Sequence, residues 1–287
     1  QPNAADIVAL VIRHGVRAVS YSRSPGPEFI GKLKDAGVIC MPTVGLPKHA
    51  IKAVKLGADI VTVQGGEGGG HTGAVPTTLL IPQVVDAVGD KVPVVAAGGF
   101  KDGRGLLAAL AWGADGIAMG TRFLLTQESP VPRETLQRYL DCSNPAEIIV
   151  SRAMDGLPQR MVMNELLAEL ERAGSFRKLL IALRNGLAFR KHTGARLPDL
   201  IKSALAMSRD DDLTAAQAIM SANAPMIIQK AMVEGEPSRG VLPSGQVAGV
   251  IDKLVSCEEL ISAIVEEAEQ GLTSLAGRVG TSEAAPD

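Results

Sequence analysis

Aromatic side chains are scarce in this sequence of 287 residues, where they make up 3% of the total. So few rings argue against platforms on which nucleic-acid bases stack. An excess of charge of one sign is also missing, because 29 basic and 31 acidic residues give a formal net charge of −2. The composition therefore provides no electrostatic basis for binding nucleic acid or an anionic membrane surface.

Long apolar runs and metal-ligand patterns are missing as well. No run approaches the roughly 20 apolar residues that cross a bilayer, and the first residues lack the pattern of a signal peptide. The three cysteines are far apart, without the spacing of a zinc site or of a CxxC pair. We therefore expect a cytoplasmic protein with reduced thiols and no resident metal.

Strands and helices alternate over the first 121 residues. The hydrophobic periodicity predicts strands at 16–22, 38–44, 58–64, 92–99 and 115–121, and helices at 5–14, 28–36, 46–56, 77–88 and 102–112. This alternation predicts an α/β fold with a parallel sheet and right-handed crossovers. Both a (β/α)₈ barrel and an open doubly wound sheet fit the pattern.

The pattern changes after residue 123, where two prolines close together interrupt it. Further helices are predicted at 133–140, 164–173, 176–189, 213–233 and 256–268, with a short strand at 146–151 and a turn at 156–160. Methionines recur in this part, either to fill gaps in a core or to form a pliable wall for a bulky apolar substrate. They are Met161, Met163, Met207, Met220, Met226 and Met232.

A glycine-rich segment follows the strand that ends at Gln64. Six of the next nine residues are glycine, and Glu67 and His71 stand among them. In α/β proteins, ligands bind at the carboxyl ends of strands. Glycines recur after the next two strands, at Gly98-Gly99 and at Gly120. Two successive strand ends with accessible backbone N–H groups predict a phosphate cradle, which favours the barrel.

Three motifs in order carry a family resemblance. They are Gln-Gly-x-Glu-x-Gly-Gly-His-x-Gly from Gln64, Ala-Ala-Gly-Gly up to Gly99, and Met-Gly-Thr-Arg-Phe from Met119. Together they resemble the nitronate monooxygenase (2-nitropropane dioxygenase-like) family of FMN-dependent barrels, whose superfamily includes flavin enoyl reductases. The Gly-Gly-Glu-Gly-Gly-Gly-His variant and the long C-terminal segment are most similar to the actinobacterial branch that acts on coenzyme A thioesters in steroid degradation.

The resemblance implies a domain arrangement. It predicts an FMN-binding TIM (β/α)₈ barrel whose first three strands lie before residue 1, together with a smaller, mainly helical second domain. Residues 1–128 and 237–275 are assigned to the barrel, 129–236 to the second, or lid, domain, and 276–287 to a flexible tail.

The resemblance, together with the strand-end logic, also implies site residues. His71 is the candidate catalytic acid/base, because imidazole titrates near neutrality. The predicted cofactor-binding residues are Gln64 and Gly69 at the flavin ring edge, Gly99, Gly120 and Thr121 at the phosphate, and Ala118 and Met119 against the cofactor.

Several roles near this site stay open at this point. Gly98 suits the phosphate as well as Gly99 does, and Arg122 either adds charge there or pairs with an acid. Glu67 either orients His71 or caps a helix. The family usually has alanine at Gly68, so glycine there suggests room for a larger substrate. The other histidines are expected to be structural; they are His14, His49 and His192.

The implied function is that of an FMN-dependent oxidoreductase that forms or reduces a C=C bond in a coenzyme A thioester from steroid (cholesterol C/D-ring) degradation. Alternatives are a nitronate monooxygenase that uses O₂, an enoyl-ACP reductase-like enzyme, and a non-enzymatic binding subunit. No Gly-x-Gly-x-x-Gly fingerprint follows a first strand. An external hydride partner such as NAD(P) cannot be identified from this sequence and stays open. The formation of a homo-oligomer also stays open. The expected binding partner is a small acyl-CoA substrate.

Overall fold

The computed structural model describes residues 3–22, 25–173 and 215–279. The chain divides into two compact units. The first comprises Gln1–Gly68, Gly73–Met119 and Val255–Asp287, and the second comprises Gly69–Thr72 and Gly120–Leu254.

The first unit alternates strands and helices as the sequence predicts. Its strands are β1 (Ala18–Ser22), β2 (Ile39–Val44), β3 (Val61–Gln64), β5 (Val94–Ala97) and β6 (Gly116–Ala118). Its helices are α1 (Ala4–Arg13), α2 (Pro27–Asp35), α3 (Pro47–Lys55), α4 (Thr77–Val88), α5 (Gly103–Ala111) and α10 (Cys257–Val279). The five strands and five helices predicted before residue 122 are all confirmed, with ends shifted by up to three residues.

The strands of the first unit form one parallel sheet in the order β1-β2-β3-β5-β6. The order follows the chain without reversal. An open doubly wound sheet reverses its strand order at a switch point, whereas a barrel adds each strand beside the previous one. The observed order therefore favours the barrel over the doubly wound alternative.

The core of the first unit lies between this sheet and its helices. Val61 and Val63 of β3 are fully buried and Thr62 is 7% exposed, as expected for a strand that is covered on both faces. Helix α4 packs one apolar stripe against the sheet. That stripe consists of Leu80, Ile81, Val84 and Val88.

Helix α10 packs closely against α5 at Gly103. A Cβ atom at Gly103 would lie 2.4 Å from the Glu267 Cβ and from the Ile264 carbonyl oxygen. The Gly103 N–H donates to Glu267 Oε2 at 2.9 Å, which satisfies a free donor at the first turn of α5. The prediction ended this helix at residue 268, but it continues to Val279.

The second unit combines a small sheet with helices. Its strands β4 (Gly70–His71), β7 (Ile148–Ser151) and β8 (Gln159–Val162) form an antiparallel sheet in the order β4-β8-β7. Its helices are α6 (Thr121–Leu124), α7 (Arg133–Leu140), α8 (Glu165–Arg172) and α9 (Ala215–Met232), with 3₁₀ turns at Pro145–Glu147 and Gln246–Val250. The predicted turn at 156–160 was wrong at its end, because β8 begins at Gln159.

Buried methionines support the core interpretation. Met161 is fully buried among the side chains of Leu167, Leu170 and Ile227, and Met226 is 9% exposed. Met163 and Met232 pack against the buried clusters of the second unit. Met207 and the side chain of Met220 lie outside what the structure describes.

The limits of the compact units differ from the predicted domain limits. Residues 120–128 and 237–254 belong to the second unit, although the prediction placed them in the barrel. The predicted lid segment contains strands β7 and β8 besides its helices, and the helix predicted at 176–189 lies outside the described residues. Of the predicted tail, 276–279 is helical and the remainder is not described. The domain assignment itself stays a prediction.

Within residues 3–22, 25–173 and 215–279, no helix has both the length and the apolar character needed to cross a membrane. Within those same segments, no three His, Cys, Asp or Glu side chains are grouped so as to hold a metal ion.

Candidate active site

Three strands of the first unit end side by side. Gln64 of β3 pairs with Ala97 of β5, and Ala97 pairs with Ala118 of β6. Gly99 and Met119 follow these strand ends at the same carboxyl edge, where parallel α/β sheets bind ligands. The sheet therefore brings together four of the predicted cofactor-binding residues.

The glycine pair after β5 has a backbone that favours glycine. Gly98 and Gly99 have φ angles of +100° and +84°, which lie in the left-handed region. A Cβ at Gly98 would lie 3.1 Å from the Gly68 nitrogen, so the chain itself fills that side. Gly99 is exposed whereas Gly98 is half-buried. This difference favours Gly99 for contact with a ligand.

Glu67 caps helix α4. Its Oε2 accepts hydrogen bonds from the Thr77 backbone N–H at 2.9 Å and from the Thr77 hydroxyl at 2.6 Å. A carboxylate at a helix N-terminus satisfies a free donor and complements the helix dipole. Of the two roles left open by the sequence, the hydrogen bonds therefore support capping.

Gly68 makes room for the side chain of Gln64. A Cβ at Gly68 would lie 2.5 Å from Gln64 Nε2 and 2.6 Å from its Cδ. An alanine would therefore displace the Gln64 amide. The space that glycine provides is filled by this chain, so the structure does not support the idea that it accommodates a larger substrate.

His71 pairs with a carboxylate that the sequence interpretation did not identify. His71 Nε2 lies 2.8 Å from Asp155 Oδ2, and both residues belong to the second unit. The His71 side chain is 59% exposed, whereas the Asp155 side chain is 9% exposed. A buried carboxylate thus holds one edge of an accessible imidazole, which is an arrangement suited to acid–base chemistry.

Both carboxylate oxygens of Asp155 accept hydrogen bonds. Oδ1 accepts from the Leu157 backbone N–H at 3.0 Å, and Oδ2 accepts from Gln159 Nε2 at 2.6 Å. Burial alone would raise the pKa of Asp155, but the bonds from His71, Leu157 and Gln159 outweigh it and lower this pKa below its ordinary value. Asp155 is therefore ionised at neutral pH.

Strand pairing fixes the backbone around His71. His71 of β4 stands opposite Gln159 of β8, and Gly70 stands opposite Arg160. The Thr72 N–H donates to the Pro158 carbonyl at 3.1 Å. The segment that carries His71 is therefore part of a sheet, although the glycines around it suggested a loop.

The close approach of the 244–245 backbone explains why residue 69 is glycine. A Cβ there would lie 2.5 Å from the Gly245 nitrogen and 2.6 Å from the Ser244 carbonyl carbon. The Gly245 N–H in turn donates to the Thr121 hydroxyl at 2.8 Å. The role of Gly69 at a flavin edge stays a prediction, because packing already explains the missing side chain.

Gly120 differs from Gly68, Gly69 and Gly98. Its φ of −84° suits any residue, and an added Cβ would meet no atom of the described residues within 4 Å. Gly120 precedes the short helix α6, whose first residue is Thr121. Nothing in the chain's own packing requires glycine here, which fits a position where the backbone must stay open to a ligand.

Arg122 forms hydrogen bonds to backbone carbonyls of the second unit. The side chain is 6% exposed, and its Nη1 donates to the carbonyls of Leu125 at 3.2 Å and Lys253 at 3.5 Å. Burial lowers the pKa of Arg122, although the charge of Asp252 opposes this effect. Its hydrogen bonds to backbone carbonyls indicate a structural role.

Asp155 and Gln159 are the candidate site residues that sequence reasoning missed. They lie 84 and 88 residues after His71; Gln159 falls within the turn predicted at 156–160, and Asp155 immediately precedes that turn. A polar Asp-Gly-Leu-Pro-Gln run was the available signal, but a lone acid in a turn is common. Of the other histidines, His14 and His49 are exposed, and His192 lies outside the described residues.

The chain belongs to the nitronate monooxygenase family, whose model matches residues 3–267. It is accordingly a flavin-dependent oxidoreductase with the barrel fold class that the sequence predicted.

Two relatives carry the same descriptive name, (3aS,4S,5R,7aS)-5-hydroxy-7a-methyl-1-oxo-octahydro-1H-indene-4-carboxyl-CoA dehydrogenase. The protein from Rhodococcus jostii (strain RHA1) is 50% identical over 93% of this chain and 75% of the relative. The protein from Mycobacterium tuberculosis (strain ATCC 25618 / H37Rv) is 48% identical over the same shares of both chains.

A solved structure, that of FabK from Thermotoga maritima, supports the fold. Its TM-score is 0.73 at 28% sequence identity, over 97% of this chain and 76% of the FabK chain. The agreement covers nearly the whole chain.

The residues present fit a flavin phosphate in one respect that can be checked. A Cβ at Gly120 would lie more than 4 Å from every described atom, at the residue before the first turn of α6, and the first backbone N–H groups of a helix have no partner within it. The Thr121 hydroxyl accepts from Gly245 and retains its own proton for donation.

Proposed function

We propose that this protein is an FMN-dependent oxidoreductase that forms or reduces a C=C bond in a coenzyme A thioester, with a steroid (cholesterol C/D-ring) degradation intermediate as substrate. The descriptive names of the two relatives support this proposal. Those names describe a fused six- and five-membered ring system that carries a CoA thioester and a ketone. Dehydrogenation of such a compound removes two hydrogens.

A thioester carbonyl makes the neighbouring C–H bond acidic. A base at that carbon is therefore the group that the protein itself must supply. His71 is the candidate, and the observation that carries the proposal is its contact with buried Asp155 at 2.8 Å. An accessible imidazole held by an ionised carboxylate is suited to accept a proton from the substrate or return one to it.

FMN is proposed as the flavin because the sequence offers one phosphate cradle and no second dinucleotide motif. When bound, FMN supplies the acceptor or donor of a hydride. Within the first unit, Gln64 would contact the ring edge, Gly99 the phosphate, and Ala118 and Met119 the cofactor.

Within the second unit, Gly120 and Thr121 would donate to the phosphate, and Gly69 would contact the ring edge. These assignments combine the family motifs with the geometry of each unit. NAD(P) as an external hydride partner and the formation of homo-oligomers stay open parts of the proposal.

Anaerobic titration with acyl-CoA esters tests the proposed reaction. The purified protein is mixed with CoA esters of fused-ring carboxylic acids under nitrogen, and flavin absorbance is followed. We expect bleaching with ring-bearing thioesters and none with the free acids. The proposal would be contradicted if no saturated CoA ester bleached the flavin and no unsaturated CoA ester reoxidised the reduced flavin.

The alternatives have their own signatures. A nitronate monooxygenase would consume oxygen with alkyl nitronates, and an enoyl reductase-like enzyme would oxidise its reduced flavin with an enoyl thioester. A protein purified without bound flavin would favour a binding subunit.

A further inference from the structure

The geometry of Asp155 restricts which nitrogen of His71 can carry a proton. Asp155 Oδ2 lies 2.8 Å from His71 Nε2. An ionised carboxylate can only accept hydrogen bonds. A hydrogen bond at this distance therefore requires that Nε2 be the donor, so that in the neutral ring Nδ1 carries the lone pair.

We propose that Asp155, held in place by Gln159, is a positioning residue that fixes the Nε2–H form of His71 and makes Nδ1 the atom that takes up and returns the substrate proton. This inference rests on the proposed function for the identity of the reaction. It adds a residue pair and an atom that the sequence motif does not indicate.

The surroundings of Asp155 keep the carboxylate in one orientation. The Leu157 N–H holds Oδ1, while Gln159 and His71 share Oδ2. Gln159 is 4% exposed, and its backbone is paired with His71 across β4 and β8. The Gln159 side-chain amide holds the Asp155 carboxylate, and Gln159 itself stands opposite His71. The pairing of β4 with β8 therefore positions both the imidazole ring and the carboxylate.

The asymmetry of exposure supports the choice of Nδ1. The Asp155 side chain is 9% exposed and lies at the Nε2 edge of the ring, whereas the His71 side chain is 59% exposed. A substrate cannot reach the edge that faces a buried carboxylate as easily as the other one. Proton transfer at Nδ1 leaves the contact with Asp155 intact, and the resulting imidazolium is stabilised by the adjacent negative charge.

Replacement of Asp155 by asparagine gives a sharp test. The Leu157 N–H favours an oxygen at the Oδ1 position, which places the amide NH₂ of Asp155→Asn at the Oδ2 position. The Gln159 amide, which donates to Oδ2 in the wild type, then turns to present its oxygen to this NH₂, and a donor points at His71. The ring must then accept at Nε2 and carry its proton on Nδ1. The substitution therefore inverts the tautomer.

Nitrogen-15 NMR of the histidine rings measures the tautomer directly. Spectra are recorded on the holoenzyme over a pH titration that reaches the neutral ring, and His71→Ala assigns the His71 signals. We expect Nε2–H in the wild type and Nδ1–H in Asp155→Asn. Asp59→Asn is a matched control, because that carboxylate lies in the first unit and bonds Lys34 and the Cys40 backbone. It should leave the tautomer unchanged.

Kinetics supply the second readout. We expect Asp155→Asn to keep its flavin and its KM but to lose about 10²- to 10⁴-fold in kcat, because the basic nitrogen faces the wrong way. Asp155→Glu retains an ionised acceptor, so it should keep the Nε2–H form and recover part of kcat. That recovery separates positioning from a purely structural role.

Several results would overturn the inference. They are an Nδ1–H ring in the wild type, an unchanged tautomer in Asp155→Asn, or an inverted one in Asp155→Glu. The wild-type spectrum decides the matter even if Asp155→Asn does not fold. A protein that shows the expected tautomers but neither bleaching nor reoxidation of its flavin by CoA esters would refute the proposed reaction and leave the assignment of the ring nitrogens standing.

Discussion

Replacement of Gly120 by valine separates cofactor binding from folding. Gly120 has an ordinary φ of −84°, and a Cβ there meets nothing within 4 Å. The Cβ of the valine therefore meets no described atom, and the backbone conformation at this position is one that valine can adopt. We expect the free energy of unfolding of the flavin-free protein to change by no more than about 0.5 kcal/mol, as for an ordinary surface substitution.

The effect on the cofactor is expected to be much larger. A hydrogen bond to a charged group such as phosphate is worth about 1.5–3 kcal/mol. If the valine side chain blocks one backbone N–H from the phosphate, the dissociation constant of FMN rises about 10- to 150-fold. Blocking two such donors would square that factor.

The assay combines flavin content with thermal unfolding. FMN is released by heat and measured by its absorbance, and its dissociation constant is found by titrating the flavin-free protein. Gly116→Val is the matched control, because Gly116 also has open space around an added Cβ and begins strand β6. Normal flavin affinity in Gly120→Val, or an equal loss in Gly116→Val, would refute the cradle.

Three further predictions test other residues. His71→Ala should retain FMN, but substrate should reduce the flavin roughly 10²- to 10⁴-fold more slowly than in the wild type, as measured by rapid mixing. A rate within about threefold of wild type would remove His71 from the mechanism. Asp155→Asn should be less stable by about 1–3 kcal/mol at pH 7. Because the folded pKa of Asp155 is depressed, denaturant titrations should show this difference shrinking as pH falls below about 4. Burial raises the pKa of Tyr21 to about 12 and that of Tyr139 further, so ultraviolet titration of the folded protein should detect no tyrosinate at pH 10.

The sheet was predictable because its signals are local. The strands of the first unit are short apolar runs bounded by glycine or proline, and the helices between them carry regular apolar stripes. Helix α4 was predicted with both ends correct, at Thr77 and Val88. The end of α10 was missed because Gly271 resembles a stop signal, whereas the structure carries the helix through it to Val279.

The acid partner of His71 was not predictable in the same way. The contact joins residues that are 84 positions apart, and the register of β4 against β8 is what brings them together. Strand β4 has only two residues, which is too short to produce any periodic signal. A single aspartate beside a turn indicates a role in a site only when its neighbours in space are known.

Glycine density has two different causes in this chain, and the sequence cannot separate them. An added Cβ at Gly65 would lie 2.1 Å from the Thr77 hydroxyl oxygen, and additions at Gly68 and Gly69 would meet other parts of the chain at 2.5 Å. Gly65 and Gly69 are therefore needed for packing, whatever binds nearby, whereas an alanine at Gly68 would require the Gln64 side chain to move. Gly120 alone among the four has an ordinary φ with open space beyond it. Mutations of Gly65 and Gly69 should consequently alter folding first, whereas Gly120 is a position where an effect on flavin can be measured without that complication.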